Sequence, residues 1–305
     1  MPNSTARNGA AGTQDRIGLG IAGILIGMFA MSIMDALAKW LGEGYPIAEL
    51  VFFRYVFALP PALFILWQQR GGRASLALRW KTGHILRAIF ALGATYTFFL
   101  GLRYLPLAEA ISIAFSAPLL VTALSVPILG ERVGPRRWAA VVVGFVGVLV
   151  MTRPGAGAFR PEALYILAAA LCYALTMLVT RRLARSDTTP AIMLSNICIS
   201  IPLCALALPF GWRTPGAMDF LLLALLGLVG GIGMYFMTQA YRYAPAAVIA
   251  PFDYTALLWG TLFGWLIWQE LPGTSVWLGA AIVVASGLYI VHRETRVRTS
   301  PGAAG

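Results

Sequence analysis

The residues best able to do chemistry are charged side chains that lie within long apolar stretches. A charged group near the centre of a bilayer costs at least ~2.5–3.5 kcal/mol, so it usually faces a partner or a watery cavity. Asp35 and Lys39 are four residues apart and therefore share one face of a predicted helix. This spacing predicts either an internal ion pair or a cavity-lining pair that a substrate or a proton can open.

Arg54 and Asp253 are also predicted to lie deep in the membrane. The Arg54 guanidinium keeps its proton at ordinary pH, so it needs an anion, which can be Asp35 or a substrate carboxylate or phosphate. Asp253 follows Pro251 by two residues and precedes Tyr254. A carboxylate, freed backbone carbonyls and aromatic rings would suit a polar planar or cationic ligand. Proton coupling and the capping of another helix are the alternative roles for Asp253.

Three further polar residues are weaker candidates, and one arginine is expected to be an anchor. Tyr96 and Tyr235 would either line a cavity or pack with their hydroxyls bonded to backbone carbonyls. Glu109, at the start of a predicted span, fits a solvated helix end as well as a site. Arg87 is expected to reach the lipid headgroups from its position near a span end. The predicted substrate-binding residues are Asp35, Lys39, Arg54, Tyr96, Glu109, Tyr235, Asp253 and Tyr254.

The composition requires that these residues be positioned by membrane-spanning helices. Of the 305 residues, 59% are hydrophobic and 11% are charged, whereas soluble domains carry about 25% charged residues. This composition excludes a water-soluble globular protein and a disordered chain. A span needs about 20 mostly apolar residues. Ten spans are predicted, at residues 17–41, 47–68, 83–102, 107–129, 137–152, 163–180, 190–210, 218–241, 246–268 and 274–292.

The distribution of Lys and Arg predicts the orientation of these spans. With the N-terminus in the cytoplasm, the cytoplasmic segments hold 16 of these residues and the external loops hold 4, as the positive-inside rule requires. Both termini are therefore predicted to be cytoplasmic, and the net charge of +11 reflects topology rather than nucleic-acid binding. The two histidines, His84 and His292, lie far apart in sequence, and no catalytic motif is present. We therefore expect no enzyme activity, no bound metal and no cofactor.

An internal repeat becomes visible when the sequence is shifted by 139 residues. YLPLAEAISIAFSAPLL then falls on YAPAAVIAPFDYTALLW, Arg103 falls on Arg242, and Glu131 falls on Glu270. Each repeat would contain five spans, and because five is odd the two repeats would have opposite orientations. Inverted repeats are a common construction of secondary transporters, whose substrate site lies near the midplane between the repeats.

The predicted fold is an all-α integral membrane protein with ten transmembrane helices arranged as two inverted five-helix repeats. The first repeat is expected to span residues 17–152 and the second residues 153–292. Cytoplasmic tails are expected at residues 1–16 and 293–305. No segment outside the predicted spans is long enough to form a separate soluble domain.

Across residues 17–292, the chain resembles the EamA type of the drug/metabolite transporter superfamily. The resemblance rests on LPLAEAISIAFSAPLLVTALSVPILGERV and its second copy, APAAVIAPFDYTALLWGTLFGWLIWQELP. The opening SIMDALAKWL, followed by ELVFFRYVFALP, is similar to the branch that contains bacterial riboflavin and S-adenosylmethionine uptake carriers. The resemblance implies a ten-helix carrier with a central cavity and no bound cofactor, and it leaves a homodimer open.

These observations together predict a secondary transporter that moves a small polar metabolite across a bacterial-type inner membrane by alternating access. Uptake of riboflavin or S-adenosylmethionine is suggested by the resemblance alone. Export of amino acids or drugs is the alternative, and a channel or an integral-membrane enzyme is the alternative from a different class. The expected partners are a small-molecule substrate and membrane lipid, without nucleic acid.

Overall fold

The computed structural model describes residues 4–68, 76, 78–131, 133–153 and 160–298. Within this part of the chain the regular structure is helical, with no β-strand. The α-helices are α1 (Ser4–Gly42), α2 (Ile47–Gln68), α3 (Lys81–Leu102), α4 (Leu107–Ala114), α5 (Ala117–Leu129), α6 (Pro135–Thr152), α7 (Ala163–Leu183), α8 (Thr189–Ala205), α9 (Ala217–Tyr243), α10 (Ala246–Asp253), α11 (Thr255–Trp268) and α12 (Thr274–Arg298). A short 3₁₀ turn, Leu208–Phe210, follows α8.

The helices confirm the predicted class of an all-α membrane protein. Among the described residues, eight helical segments are long and apolar enough to cross a bilayer, and Thr274–Ile290 is a shorter apolar helix. Because lipid offers no partner for backbone N–H and C=O groups, a helix is the economical way to satisfy them along each span. The count of ten spans and their inverted arrangement are finer statements, and they stay predictions.

Two segments that were predicted as single spans are each divided into two helices. Residues 107–129 form α4 and α5, which are separated at Phe115 and Ser116. Pro118 accounts for this break, because a proline ring clashes with the carbonyl group four residues earlier, here that of Ala114, the last residue of α4. Residues 246–268 form α10 and α11, and Tyr254 caps both of them.

The helices pack in pairs that combine early and late parts of the chain. α1 lies along α9, α2 lies along α8 and α9, α3 lies along α7 and α8, and α6 lies along α12. Close approach of α6 and α12 depends on two glycines. A Cβ atom on Gly279 would lie 2.5 Å from the Gly147 carbonyl oxygen, so any larger side chain would push the helices apart.

Each end of the bundle is stabilised by its own polar contacts, and we call the two ends the far end and the near end. At the far end, which holds the α1–α2 loop, the Glu49 Oε2 atom accepts a hydrogen bond from the Arg213 backbone N–H at 3.0 Å. The Arg213 Nη1 atom donates to the Gly44 carbonyl oxygen at 2.7 Å. At the near end, which holds the start of α3, His84 contacts Asp187 of the α7–α8 loop.

Candidate functional site

A cavity of about 180 Å³ lies between α2, α3, α7, α8 and α9. Its volume leaves room for on the order of ten water molecules. The walls come from both halves of the chain. The lining residues are Arg54, Tyr55, Ala58 and Ala62 of α2; Arg87, Ala91, Ala94 and Thr95 of α3; Tyr173, Thr176 and Met177 of α7; Met193, Asn196 and Ile197 of α8; and Gly227, Gly230, Gly231 and Met234 of α9.

Each wall is one face of a helix, as the sequence spacing shows. In α3 the lining positions are 87, 91, 94 and 95, which recur at intervals of about one helical turn. Small residues at 91 and 94 leave the space that the cavity occupies. α9 approaches α2 through Gly227, where a Cβ atom would lie 2.9 Å from the Arg54 carbonyl oxygen. The absence of a side chain at Gly227 therefore allows this wall to close.

Arg54 is held on the cavity wall mainly by uncharged groups. Its Nη1 atom donates to the Thr95 hydroxyl at 3.1 Å, and its Nε atom lies 3.3 Å from the Met34 sulfur. Its guanidinium lies 5.3 Å from the centre of the Tyr55 ring. Asp35 interacts with Arg54 electrostatically, but no carboxylate oxygen of the described residues lies within 4.0 Å of Arg54. Its charge is therefore only partly compensated.

Arg87 also faces the cavity, contrary to the prediction that it anchors the helix at the lipid headgroups. Its Nε atom donates to the Thr180 hydroxyl at 2.8 Å, and its Nη1 atom donates to the Ile192 carbonyl oxygen at 3.3 Å. These two acceptors on α7 and α8 draw the side chain into the bundle rather than toward lipid. Both are neutral, and no described carboxylate lies within ion-pair distance of Arg87.

Two further groups on the wall can engage a ligand. The Asn196 side-chain oxygen is buried without a hydrogen-bond partner among the described residues. A buried polar atom without a partner is costly, which favours a site that a ligand or water completes. The Tyr173 ring is 48% exposed and offers an aromatic surface. With the two guanidiniums, these groups can bind a polar molecule that accepts hydrogen bonds.

Of the two alternatives for Asp35 and Lys39, the internal ion pair is wrong, although both residues lie on α1. The Lys39 Nζ atom lies 2.5 Å from the Glu270 Oε2 atom and 3.0 Å from the Leu105 carbonyl oxygen. It also lies 4.9 Å from the centre of the Trp268 ring. These groups converge at the far end, so the ammonium is drawn away from Asp35. Lys39 is buried in this cluster and does not line the cavity.

Three other predicted site residues lie away from the cavity wall. The Tyr235 ring packs against Phe64 and Phe236, with centroid distances of 6.4 and 5.4 Å. Tyr96 is 41% exposed and follows Thr95, so it points to a different face of α3. Glu109 lies in the first turn of α4 at the far end. Their assignment as substrate-binding residues stays a prediction, without support from the position of the cavity.

Asp253 and Tyr254 are not part of the described cavity wall. The Tyr241 hydroxyl donates to the Asp253 Oδ2 atom at 3.0 Å, while Oδ1 is buried without a partner among the described residues. Asp253 interacts electrostatically with Tyr173, which does line the cavity. The Tyr254 ring packs against Phe115 at 4.7 Å. Of the eight predicted residues, Arg54 is the one found on the wall.

Arg87, Thr95 and Tyr173 line the cavity but are not among the predicted site residues, although the sequence contains a signal for the first two. Arg87 and Thr95 lie eight residues apart with Ala91 and Ala94 between them, which places polar and small residues on one helical face. That pattern is typical of a helix facing a water-filled space. Nothing comparable in the sequence distinguishes Tyr173 from the other aromatic residues of the spans.

A buried polar chain closes the near end beside Arg87. The His84 Nδ1 atom lies 2.6 Å from the Ser195 hydroxyl, and Nε2 lies 2.9 Å from the Asp187 Oδ2 atom. Burial raises the pKa of Asp187, but hydrogen bonds from His84 and from the Arg79 backbone N–H outweigh this effect and lower it. Although the residue types match a hydrolase triad, all three side chains are buried. The contacts therefore join α3 to α8.

Several known proteins match this sequence over most of its length. The pattern of the EamA-like transporter family matches residues 18–153 and 160–292. A riboflavin transporter of Rhizobium johnstonii is 30% identical over 93% of this chain and 94% of that protein. An S-adenosylmethionine uptake transporter of Rickettsia prowazekii is 29% identical over 92% of this chain and 95% of that protein.

A further relative and one solved structure also match this chain. A riboflavin transporter of Vibrio cholerae is 30% identical over 88% of this chain and 91% of that protein. A crystal structure of another protein superposes with a TM-score of 0.61 over 92% of this chain and 99% of that chain, at 23% identity, which shows the fold alone. The chain therefore belongs to the EamA-like transporter family, and it is a multi-pass membrane transporter rather than an enzyme.

Proposed function

We propose that this protein is a secondary transporter that carries a small polar metabolite through the cavity between α2, α3, α7, α8 and α9. The observation that carries this proposal is the pair of guanidiniums, Arg54 and Arg87, on a cavity built from both halves of the chain. A buried charge without a carboxylate partner is costly unless water or a ligand compensates it. A transported metabolite can supply the missing hydrogen-bond acceptors.

Alternating access would use two five-span halves of opposite orientation. The breaks at Phe115 and Tyr254 differ by 139 positions, which is the shift that aligns the two repeats. The family pattern also matches two consecutive stretches of the chain. Both observations support a duplicated architecture, in which the halves rock about a site between them. A homodimer of such units stays a prediction.

Two ion pairs between the proposed repeats suggest how the ends would open and close. Glu270 pairs with Lys39 at the far end, at 2.5 Å. The repeat-equivalent acid, Glu131, lies 3.6 Å from Arg181 at the near end. Each pair joins the acid that follows a broken helix in one repeat to a cation near the end of the first helix in the other. The shorter, partly buried far-end pair would hold that end closed.

We place this protein in a bacterial-type inner membrane with both termini in the cytoplasm. The near end would then be cytoplasmic and the far end external. The distribution of 16 Lys and Arg residues on one side against 4 on the other supports this orientation. A far end closed by Glu270 and Lys39 would give a carrier whose cavity is sealed from the outside.

The proposed substrates are riboflavin and S-adenosylmethionine, which the names of the relatives provide. Their match extends over more than 90% of this chain for the Rhizobium and Rickettsia proteins. Asp253 is the proposed coupling residue, because one of its oxygens is buried without a partner among the described residues and the carboxylate interacts with Tyr173 on the cavity wall. A proton is the coupling ion that a lone carboxylate can carry.

Radiolabelled uptake tests this proposal directly. Cells auxotrophic for riboflavin, and in parallel cells that require S-adenosylmethionine, would express the protein, its Arg54→Met variant or an empty vector. We expect saturable uptake of one compound, loss of it in Arg54→Met, and no change in Arg103→Met, whose exposed cation lies outside the cavity. Absence of saturable uptake of both compounds would reject the uptake proposal and direct the search to efflux.

A further inference from the structure

We propose that the cavity selects its substrate by charge, and that Arg87 is the residue that does so. The cavity would accept neutral or anionic molecules that carry hydrogen-bond acceptors and would disfavour molecules with a net positive charge. This inference deepens the proposed function, because it assigns a substrate class to the same site.

The charged side chains on the described cavity wall are positive. The described lining residues include two arginines and no carboxylate. A guanidinium keeps its proton at any ordinary pH, so both positive charges are permanent. A cavity with walls of low dielectric constant focuses the field of such charges on whatever enters it. A cation entering the cavity would meet two like charges.

Two carboxylates, those of Asp35 and Asp253, are candidates to compensate the positive charge of the cavity wall. Asp35 interacts electrostatically with Arg54, so part of that charge is compensated. The Asp253 Oδ2 atom accepts a hydrogen bond from the Tyr241 hydroxyl at 3.0 Å, and Asp253 does not belong to the described lining. Among the described residues, Arg87 donates only to the Thr180 hydroxyl and the Ile192 carbonyl oxygen. Arg87 therefore leaves the largest uncompensated charge.

The positions of the two arginines define the shape of a matching substrate. Arg54 bonds to Thr95 at 3.1 Å, and Thr95 lies eight residues after Arg87 on α3. At 1.5 Å per residue, the backbone positions of Arg87 and Thr95 are about 12 Å apart along the helix, so the two arginines act on different levels of the cavity. A guanidinium binds carbonyl, carboxylate and phosphate oxygens through paired N–H groups. An extended molecule with acceptor groups at both ends could engage both arginines.

The two substrates that the names of the relatives suggest differ in net charge, and the positive cavity wall would therefore bind them differently. Riboflavin is uncharged and carries carbonyl and hydroxyl acceptors along its whole length. S-adenosylmethionine carries a sulfonium, an ammonium and one carboxylate, so its net charge is positive. The lining therefore favours a flavin-like compound over a sulfonium compound for this chain.

Thiol labelling inside the cavity tests the charge selection without knowledge of the substrate. The protein would be purified in detergent with its three cysteines, Cys172, Cys198 and Cys204, replaced by alanine and with Met193→Cys added. Met193 lines the cavity next to Ile192, whose carbonyl oxygen accepts from Arg87. Two methanethiosulfonate reagents, anionic sulfonatoethyl and cationic trimethylammonioethyl, would be compared by mass spectrometry, with a free thiol as the reference.

In the protein that retains Arg87, we expect the ratio of the anionic to the cationic labelling rate to be higher than the same ratio for the free thiol. A charge about 5 Å from the thiol in a water-filled cavity changes each rate roughly threefold to fivefold in opposite directions, so Arg87→Met should lower the ratio roughly tenfold to twenty-fivefold. Arg87→Lys keeps the charge and should keep most of the preference. Arg103→Met, which removes an exposed arginine from the end of the same helix, should leave the ratio unchanged.

Three results would overturn the inference. They are a preference for the cationic reagent, a ratio that is unaffected by Arg87→Met in protein that melts like its parent, and the failure of both reagents to label the thiol that Met193→Cys introduces. The assay needs no transport, so charge selection can fail while uptake is observed. In the same way, uptake can fail while the labelling ratio follows Arg87.

Discussion

The buried ion pair between Lys39 and Glu270 allows a quantitative test of the fold. The pair joins α1 to the loop after α11 at 2.5 Å, across 231 positions of sequence. Removing one partner of a buried pair costs about 3–5 kcal/mol, because the other charge is left uncompensated. The Lys39 side chain is only 6% exposed, so its charge would depend on the remaining neighbours.

The expected loss is smaller than that range for two structural reasons. The Glu270 side chain is 31% exposed, so water already weakens the attraction. After Glu270→Gln, the Lys39 ammonium would keep its bond to the Leu105 carbonyl oxygen and its contact with the Trp268 ring. We therefore expect Glu270→Gln to lower the free energy of unfolding by about 1–3 kcal/mol.

A double-mutant cycle isolates the contribution of the pair. Unfolding of detergent-solubilised protein by denaturant would be measured for Glu270→Gln, Lys39→Met and the double variant. Because each single change removes the same interaction, the double variant should lose at least about 1 kcal/mol less than the sum of the two. Glu43→Gln, at an exposed position of the same end, is the control. A coupling below about 0.3 kcal/mol would refute the pairing.

Three more predictions concern other parts of the molecule. The folded state holds the pKa of Asp187 low, so its stabilising effect is complete above about pH 4 and is lost as the pH falls further. Asp187→Asn should therefore destabilise the protein at pH 7 and flatten its acid unfolding, followed by intrinsic fluorescence. Asp253→Asn should abolish the pH dependence of uptake, whereas Tyr241→Phe should preserve it, and equal pH profiles for wild type and Asp253→Asn would contradict proton coupling. Gly279→Val should reduce the yield of monodisperse protein in size-exclusion chromatography, because its Cβ atom would meet the α6 backbone at 2.5 Å, while Gly216→Ala, with open space around it, should not.

The helices could be predicted closely because hydropathy depends on each segment by itself. The prediction of a span at 218–241 corresponds to α9 (Ala217–Tyr243), and the prediction at 137–152 corresponds to α6 (Pro135–Thr152). Burial in lipid rewards every apolar residue of a span, whatever the other helices do. Hydropathy does not register the effect of Pro118, whose missing N–H group and ring clash end α4 and divide the span predicted at 107–129.

The partners of the charged residues could not be predicted in the same way. Asp35 and Lys39 share a face of α1, and helix geometry by itself suggests that they pair. The structure instead brings Glu270 to Lys39 from a loop 231 positions away. Which side chains meet across helices depends on the rotation of each helix about its axis and on the pairing of α1 with α9 and α11. Neither is encoded in a local spacing.

The direction of Arg87 illustrates how a cavity changes the expected behaviour of a membrane arginine. Beside lipid, an arginine one turn from a span end lowers its free energy by extending to the headgroups. On α3, the alanines at 91 and 94 leave a cavity on the same face, and the Thr180 hydroxyl offers an acceptor at 2.8 Å. Water and acceptors within the bundle then compete with the interface. The two alternatives differ in what the charge does, since an anchor only fixes the helix, whereas an inward guanidinium sets the potential that an entering molecule meets.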